Sequence, residues 1–175
     1  MKFKLFLAMI LAVALLAACA VNDDENGEGE NDSDVVTAAS FVDTPEEFAL
    51  STSENGTWIV IPNGDLTIEE EVVVEGTFYN NDDEDSDLYR KIAAYTQDDD
   101  RNIIDQWTIT VPQLTIQSEN TNFHGGILDG DIYVEANGFL LHETSTVEGD
   151  LIFANEEYEA SADVAGTVNG EIVVE

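Results

Sequence analysis

Three acids, Asp131, Asp150 and Glu171, each follow a glycine (Gly130, Gly149, Gly170) and open a short apolar stretch. Carboxylates repeated at one structural position could hold Ca²⁺ or another hard cation, because such ions take carboxylate and carbonyl oxygens. The same row could equally face solvent and bind nothing. A second acidic stretch places Asp83, Asp85 and Asp87 at alternate positions within Asn80 to Asp87. It lacks the glycine at position 6 and the glutamate at position 12 that a helix–loop–helix calcium loop uses, so it reads as a weak calcium site or as a solvated loop. Beyond Ca²⁺ no cofactor is indicated. Sulfur chemistry is confined to Cys19, the single cysteine, so no disulfide is available and stability must come from packing or ions. His124, beside two glycines, reads as a turn residue, and His142 as an outward strand residue. The chain carries no Ser/His/Asp signature, phosphate loop or zinc spacing.

The elements that must position these acids recur. Leu128 to Val134, Val147 to Phe153 and Val168 to Val174 share one pattern: apolar, polar, Gly, acid, then a short alternating strand. Their inward residues would be Ile132 and Val134, Leu151 and Phe153, Ile172 and Val174. The glycines lie 19 and 21 residues apart, a period that signals stacked repeats, since one such unit cannot bury its apolar face alone. Leu114, Ile116 and Phe123 precede Ile132, Val134 and Leu141 by 18, which extends the series upstream. At an offset of 19, Phe139 would face Tyr158 and Leu141 would face Ala160. If parallel coils stack ~4.8 Å apart, the three acids stand close enough to repel, by roughly 1 kcal/mol per pair in water. The predicted fold class is all-β, a β-solenoid with a short N-terminal capping helix.

Thr44-Pro45-Glu46-Glu47 supplies the helix start, with Thr at the N-cap, Pro at N1 and Glu at N3, and the helix should run to about Leu50. Strands follow at Thr57–Ile61, Asp65–Ile68, Val72–Val74, Thr77–Tyr79, Lys91–Tyr95, Gln106–Val111 and Leu114–Ile116. Pro112 should interrupt ladder bonding between the last two. A short helix, a strand ending in Ile61-Pro62 and a Gly64 turn resemble the entrance to right-handed parallel β-helices of the pectate-lyase-like kind. That resemblance covers roughly Thr44 to Gly76; it implies a single-stranded right-handed parallel β-helix whose helix caps the first coil.

The N-terminus carries an address. Lys2 and Lys4 precede an apolar run, Leu5 to Leu16, with a small-residue exit at Ala17-Ala18. The run is shorter than the ~20 residues a membrane span needs, and it fits a secretory signal. Leu16-Ala17-Ala18-Cys19 resembles the lipobox of bacterial lipoproteins. The resemblance implies cleavage before Cys19, lipidation of its sulfur and a membrane anchor, with ~0.8 kcal/mol per buried CH₂. Ala20 is not the Asp of an inner-membrane retention signal. The expected organisation is a signal peptide over 1–18, the lipidated Cys19 with an acidic disordered spacer over 19–36, and a solenoid domain over 37–175. The location would be extracytoplasmic, on the cell membrane or the outer membrane.

The full chain has 38 acids and 5 bases, net −33. Removal of the signal peptide would leave only Arg90, Lys91 and Arg101, which flank the two acidic loops and should pair with them. Such a charge makes nucleic acid an improbable partner and favours cations, a basic surface or bulk salt. The composition resembles proteins of salt-loving organisms.

Asp99-Asp100 and His124-Gly125 faintly resemble elements of polygalacturonases, but the Asn-x-Asp and Arg-x-Lys elements are absent. The glycine-punctuated C-terminal coils resemble bactofilins, polymer-forming β-solenoids, although here coil length varies and the lipobox directs the domain out of the cytoplasm. The reading is therefore a non-catalytic structural or binding module, with self-association through the C-terminal coil and a cell-wall polysaccharide or protein as candidate partners. The alternative is a polysaccharide-binding or polysaccharide-degrading surface protein, for which a row of exposed aromatics including Tyr133 would speak.

Overall fold

A computed structural model describes residues 40–175, which lie within one compact unit, Val35–Glu175. The described chain is mostly β, with parallel sheets. It opens with β1 (Ser40–Val42) and α1 (Pro45–Thr52), and then five repeats follow. The first contains β2 (Ile59–Pro62), β3 (Leu66–Thr67) and β4 (Val72–Val74). The second contains β5 (Arg90–Ala93), the pair β6 (Tyr95–Gln97) and β7 (Ile103–Gln106), and β8 (Thr108–Ile116). The third has β9 (Thr121–His124) and β10 (Gly126–Val134), and the fourth β11 (Leu140–Leu141), β12 (Ser145–Val147) and β13 (Leu151–Phe153). After α2 (Glu156–Ser161) the fifth supplies β14 (Asp163–Val164), β15 (Thr167–Val168) and β16 (Ile172–Val174).

One six-stranded sheet runs β1-β2-β5-β9-β11-β14, so each repeat adds one strand to it. The other is built on the long strands β8 and β10, with β3 and β4 against β8, β12 and β13 against β10, then β15 and β16. All pairings in both sheets are parallel, and only β6 and β7 pair antiparallel, as a hairpin inserted before β8. Register lines the apolar residues up in rows: Val72, Leu114, Ile132, Leu151, Ile172, and beside it Val74, Ile116, Val134, Phe153, Val174. A third row is Val60, Ile92, Phe123, Leu141, Val164. These alternate residues, apart from Ile172 in the last repeat, form one continuous core or pack against it. Its stabilisation comes from apolar surface removed from water, about 1.5–3 kcal/mol per large side chain.

The helix start is as its residues dictate. Thr44 Oγ1 accepts from the Glu47 amide at 3.2 Å while Glu47 Oε2 accepts from the Thr44 amide at 3.2 Å. The helix runs to Thr52, two residues past Leu50, and buries Phe48 completely. Its C-terminal carbonyls are satisfied from a distance. Arg90 is wholly buried and donates to Ser51 O at 2.7 Å, to Ser53 O at 3.1 Å and to Glu75 O, with its guanidinium 4.0 Å from the Phe78 ring centre. Surface pairing of Arg90 with an acidic loop is thus corrected: its donors go to main-chain carbonyls, which an Arg fork suits better than a point charge. Burial pulls its pKa down to about 9, against the pull of Glu75, so it stays charged at neutral pH.

Four further expectations change. Asn155 caps α2 through bonds to the Glu157 and Tyr158 amides, both 3.0 Å, so Tyr158 and Ala160 are helical rather than strand partners of Phe139 and Leu141. Leu141 instead pairs with Val164. Pro112 does limit the ladder, since the register shifts at that point with Val111 and Pro112 bulging opposite Gly130, but the two strands expected on either side of it run on as one, β8. Thr77 to Tyr79 makes only an isolated bridge, Tyr79 to Leu88, that closes the acidic loop. His124 is not a turn residue; it is the last residue of β9.

Candidate functional site

The three repeated acids occupy equivalent positions, and the side chains of the first two are spent on the neighbouring repeat. Asp131 Oδ1 accepts from the Asp150 amide at 2.8 Å, and Asp150 Oδ1 accepts from the Glu171 amide at 2.7 Å. Beside them the Gly149 amide donates to Gly130 O and the Gly170 amide to Gly149 O, both 3.1 Å. This is a staple joining repeat to repeat, and it explains the glycines. A Cβ on Gly149 would overlap Gly130 O and the Asp131 carboxylate; one on Gly170 would overlap Gly149 O and the Asp150 carboxylate. Two of the three carboxylates, those of Asp131 and Asp150, are thus drawn along the sheet to an amide through one oxygen each. Glu171, in the last repeat, is exposed.

Asp83, Asp85 and Asp87 are all exposed in a loop that bonds to itself. Asp83 Oδ1 accepts from the Asp85 amide at 3.0 Å, the Asn80 amide donates to Asp87 O at 3.1 Å, and Ser86 Oγ donates to Asn80 O and Asp83 O. Among the described residues no group of three or more His, Cys, Asp or Glu is placed to hold a metal ion. Cys19 lies outside the described residues. Among them no helix is long and apolar enough to cross a membrane.

The two ends of the repeat stack differ. At the N-terminal end α1 packs against β1, β2 and β4 and covers the first repeat. At the C-terminal end the rows run into the open. Leu114, Ile132 and Leu151 are fully buried, yet Ile172 in the same row is 51% exposed, and Val164, Val168 and Val174 are only partly covered. Ile172 and Val174 therefore stand in the inward rows, as their pattern requires, with no repeat beyond them among the described residues. The outer edges of β14, β15 and β16 carry no strand partner there.

A constellation that residue-by-residue reading missed lies on the outside of the six-stranded sheet. The rings of His124 and His142 stack with centroids 3.6 Å apart and planes 14° apart, and Tyr95 lies 4.8 Å from His124 on the next repeat back. Lys91 Nζ donates to Tyr95 Oη at 2.9 Å. The signal was the 18-residue spacing of the two histidines, the same as that of their neighbours Phe123 and Leu141.

The row that holds Tyr133 runs Val73, Thr115, Tyr133, Ile152, Val173. It contains one aromatic ring, and that Tyr133 hydroxyl donates to Glu175 Oε2 at 2.9 Å.

Compared with protein-family models, curated proteins and solved structures, the chain matches none.

Proposed function

We propose that this chain is a membrane-anchored extracytoplasmic lipoprotein whose domain is a right-handed parallel β-helix, acting without catalysis as a structural or binding module at the cell envelope. Cys19 would carry the lipid, and the acidic segment after it would hold the domain clear of the bilayer. The β-helix reading rests on the parallel register rows at offsets of 18, 19 and 21 residues, each repeat feeding one strand to the six-stranded sheet and either one long or two short strands to the other.

The observation that carries the module reading is the asymmetry of the ends. One end is covered by α1, beneath which Val72 and Val74 are buried; at the other, among the described residues, β14, β15 and β16 have no outer partner and Ile172 is 51% exposed. Unpaired edges are templates for pairing with another chain, so this end is the contact face, for a second copy or for a protein partner. With the N-terminal end covered, contact between copies would join C-terminal ends about a two-fold axis and close as a dimer. A saccharide reading draws less support, since the Tyr133 row offers a single ring for stacking.

Sedimentation velocity of the unlipidated chain from Ala20, in molar salt over a range of concentrations, tests this. A concentration-dependent shift from monomer to dimer that Ile172→Glu abolishes is the expected result. A single monomer throughout, with no partner retained on the immobilised protein, would overturn the module reading. Anchoring is tested separately: acyl label incorporated by the wild type should be lost in Cys19→Ser.

A further inference from the structure

We infer that the stacked pair His124 and His142 is an acid-operated latch between the third and fourth repeats. The pair joins two neighbouring strands of the six-stranded sheet: His124 ends β9, and His142 follows β11 directly. Their faces touch at 3.6 Å, a contact that two neutral imidazoles favour and two imidazolium ions oppose. The surroundings add to that opposition. From β5 comes the Lys91 ammonium, from β6 the Tyr95 ring and hydroxyl, and from the following repeat His142 itself. Glu143, next to His142 in sequence, and Asp105 of β7, the strand paired with β6, are exposed. On His142, Nδ1 accepts from the Thr144 amide at 3.3 Å and bonds Thr144 Oγ1 at 2.8 Å, which leaves the proton of the neutral ring on Nε2. Rings stacked face to face aim their in-plane lone pairs alongside one another, so the pair is not arranged to share a metal ion.

The direction of the effect follows. Burial first, then Lys91 and His142, lower His124 from 6.5 to about 4. In the unfolded chain the ring takes up its proton near 6.5, while in the folded chain it resists until about 4. Stability contributed by the neutral ring is present above 6.5 and is lost progressively as pH falls from 6.5 to 4. What opens is the seam between these repeats, where the His142 amide donates to Phe123 O at 3.0 Å, and with it the neighbouring bond by which the Ala94 amide of the second repeat reaches His124 O at 3.2 Å. The latch is independent of how the chain is anchored and of what meets its C-terminal end.

The chain has two histidines, so ring titration by NMR on the full chain in detergent, at constant high salt, needs one variant for assignment. His124 should titrate near 4, and His142→Asn should raise that midpoint towards 6.5. Amide exchange, corrected for its intrinsic pH dependence, should quicken at His142 and Ala94 between pH 6 and 4.5 before it quickens at Leu151. The thermal midpoint of the wild type should fall further across that window than that of His124→Gln. His124 titrating near 6.5, or a His124 midpoint that ignores His142→Asn, would overturn the proposal. Should His124→Gln fail to fold, the wild-type titration and exchange decide alone.

Discussion

The carboxylate of Asp131 illustrates how one side chain is committed by the repeat around it. In isolation a Gly-acid pair at a regular interval suggests an ion row, because identical positions bring like charges together. In the fold Asp131 and Asp150 instead compensate the amides that the Gly approach brings close. Asp131→Ala would leave the Asp150 amide without its acceptor and should cost about 1–3 kcal/mol. Asp131→Asn keeps an acceptor oxygen and should cost far less. Urea unfolding of the two variants, compared at equal m, checks this, and equal losses would mean that charge rather than the hydrogen bond matters. Gly149→Ala tests the other half of the staple: a methyl group colliding with Gly130 O has only backbone to displace, so its loss should exceed that of Asp131→Asn. The paired spacing of Gly and acid was visible in the sequence. The identity of the acceptor was not, because nothing along the chain tells whether a carboxylate points outward or along the sheet.

At the scale of elements, local signals were legible wherever neighbours in sequence decide the outcome. Thr44, Pro45 and Glu47 place the start of α1, and the offsets of 18, 19 and 21 set the strand register through Leu114, Ile132, Leu151 and Ile172. Insertions were harder to see. The cap at Asn155 makes α2 out of residues whose apolar Tyr158 also fits a strand, and the β6–β7 hairpin enters between β5 and β8 with no repeat to announce it. Arg90 was the least legible, since its partners come from Ser51, Ser53 and Glu75, far away in the chain. It holds the end of α1 to the first two repeats. Arg90→Met should therefore cost about 1–3 kcal/mol, since Glu75 O would lose this donor while Ser51 O and Ser53 O would keep only the Thr57 and Gly56 amides. Arg90→Lys should recover only part of this, because one ammonium cannot span three carbonyls. Thermal melts check both, at about 2–4 °C per kcal/mol for a chain of this size. Protease cleavage within residues 43–56 should quicken in Arg90→Met more than cleavage elsewhere, which separates release of the cap from general weakening.

For the molecule as a whole the dominant quantity is charge, 38 acids against 5 bases. Of the bases, Arg90 is buried in main-chain contacts and Lys91 is engaged with Tyr95, so little is left to offset the outer acids. Like charges at this density favour expansion, and their repulsion reaches about 10 Å at 0.1 M salt but only about 3 Å at 1 M. The thermal midpoint should accordingly climb steeply with NaCl up to about 1 M and flatten beyond, once screening is shorter than the spacing of neighbouring acids. Divalent ions distinguish screening from a dedicated site. The carboxylates of Asp131 and Asp150 are already bonded to amides, and Asp83, Asp85 and Asp87 stand exposed in a loop that bonds to itself. Ca²⁺ and Mg²⁺ at equal millimolar concentration should therefore raise the midpoint by the same amount. A built calcium site would prefer Ca²⁺, since it accepts six to eight oxygens in loose geometry whereas Mg²⁺ demands a near-ideal octahedron. A larger shift with Ca²⁺ that Asp85→Asn removes would assign the acidic loop as a calcium site; equal shifts would leave the acids acting through their summed field.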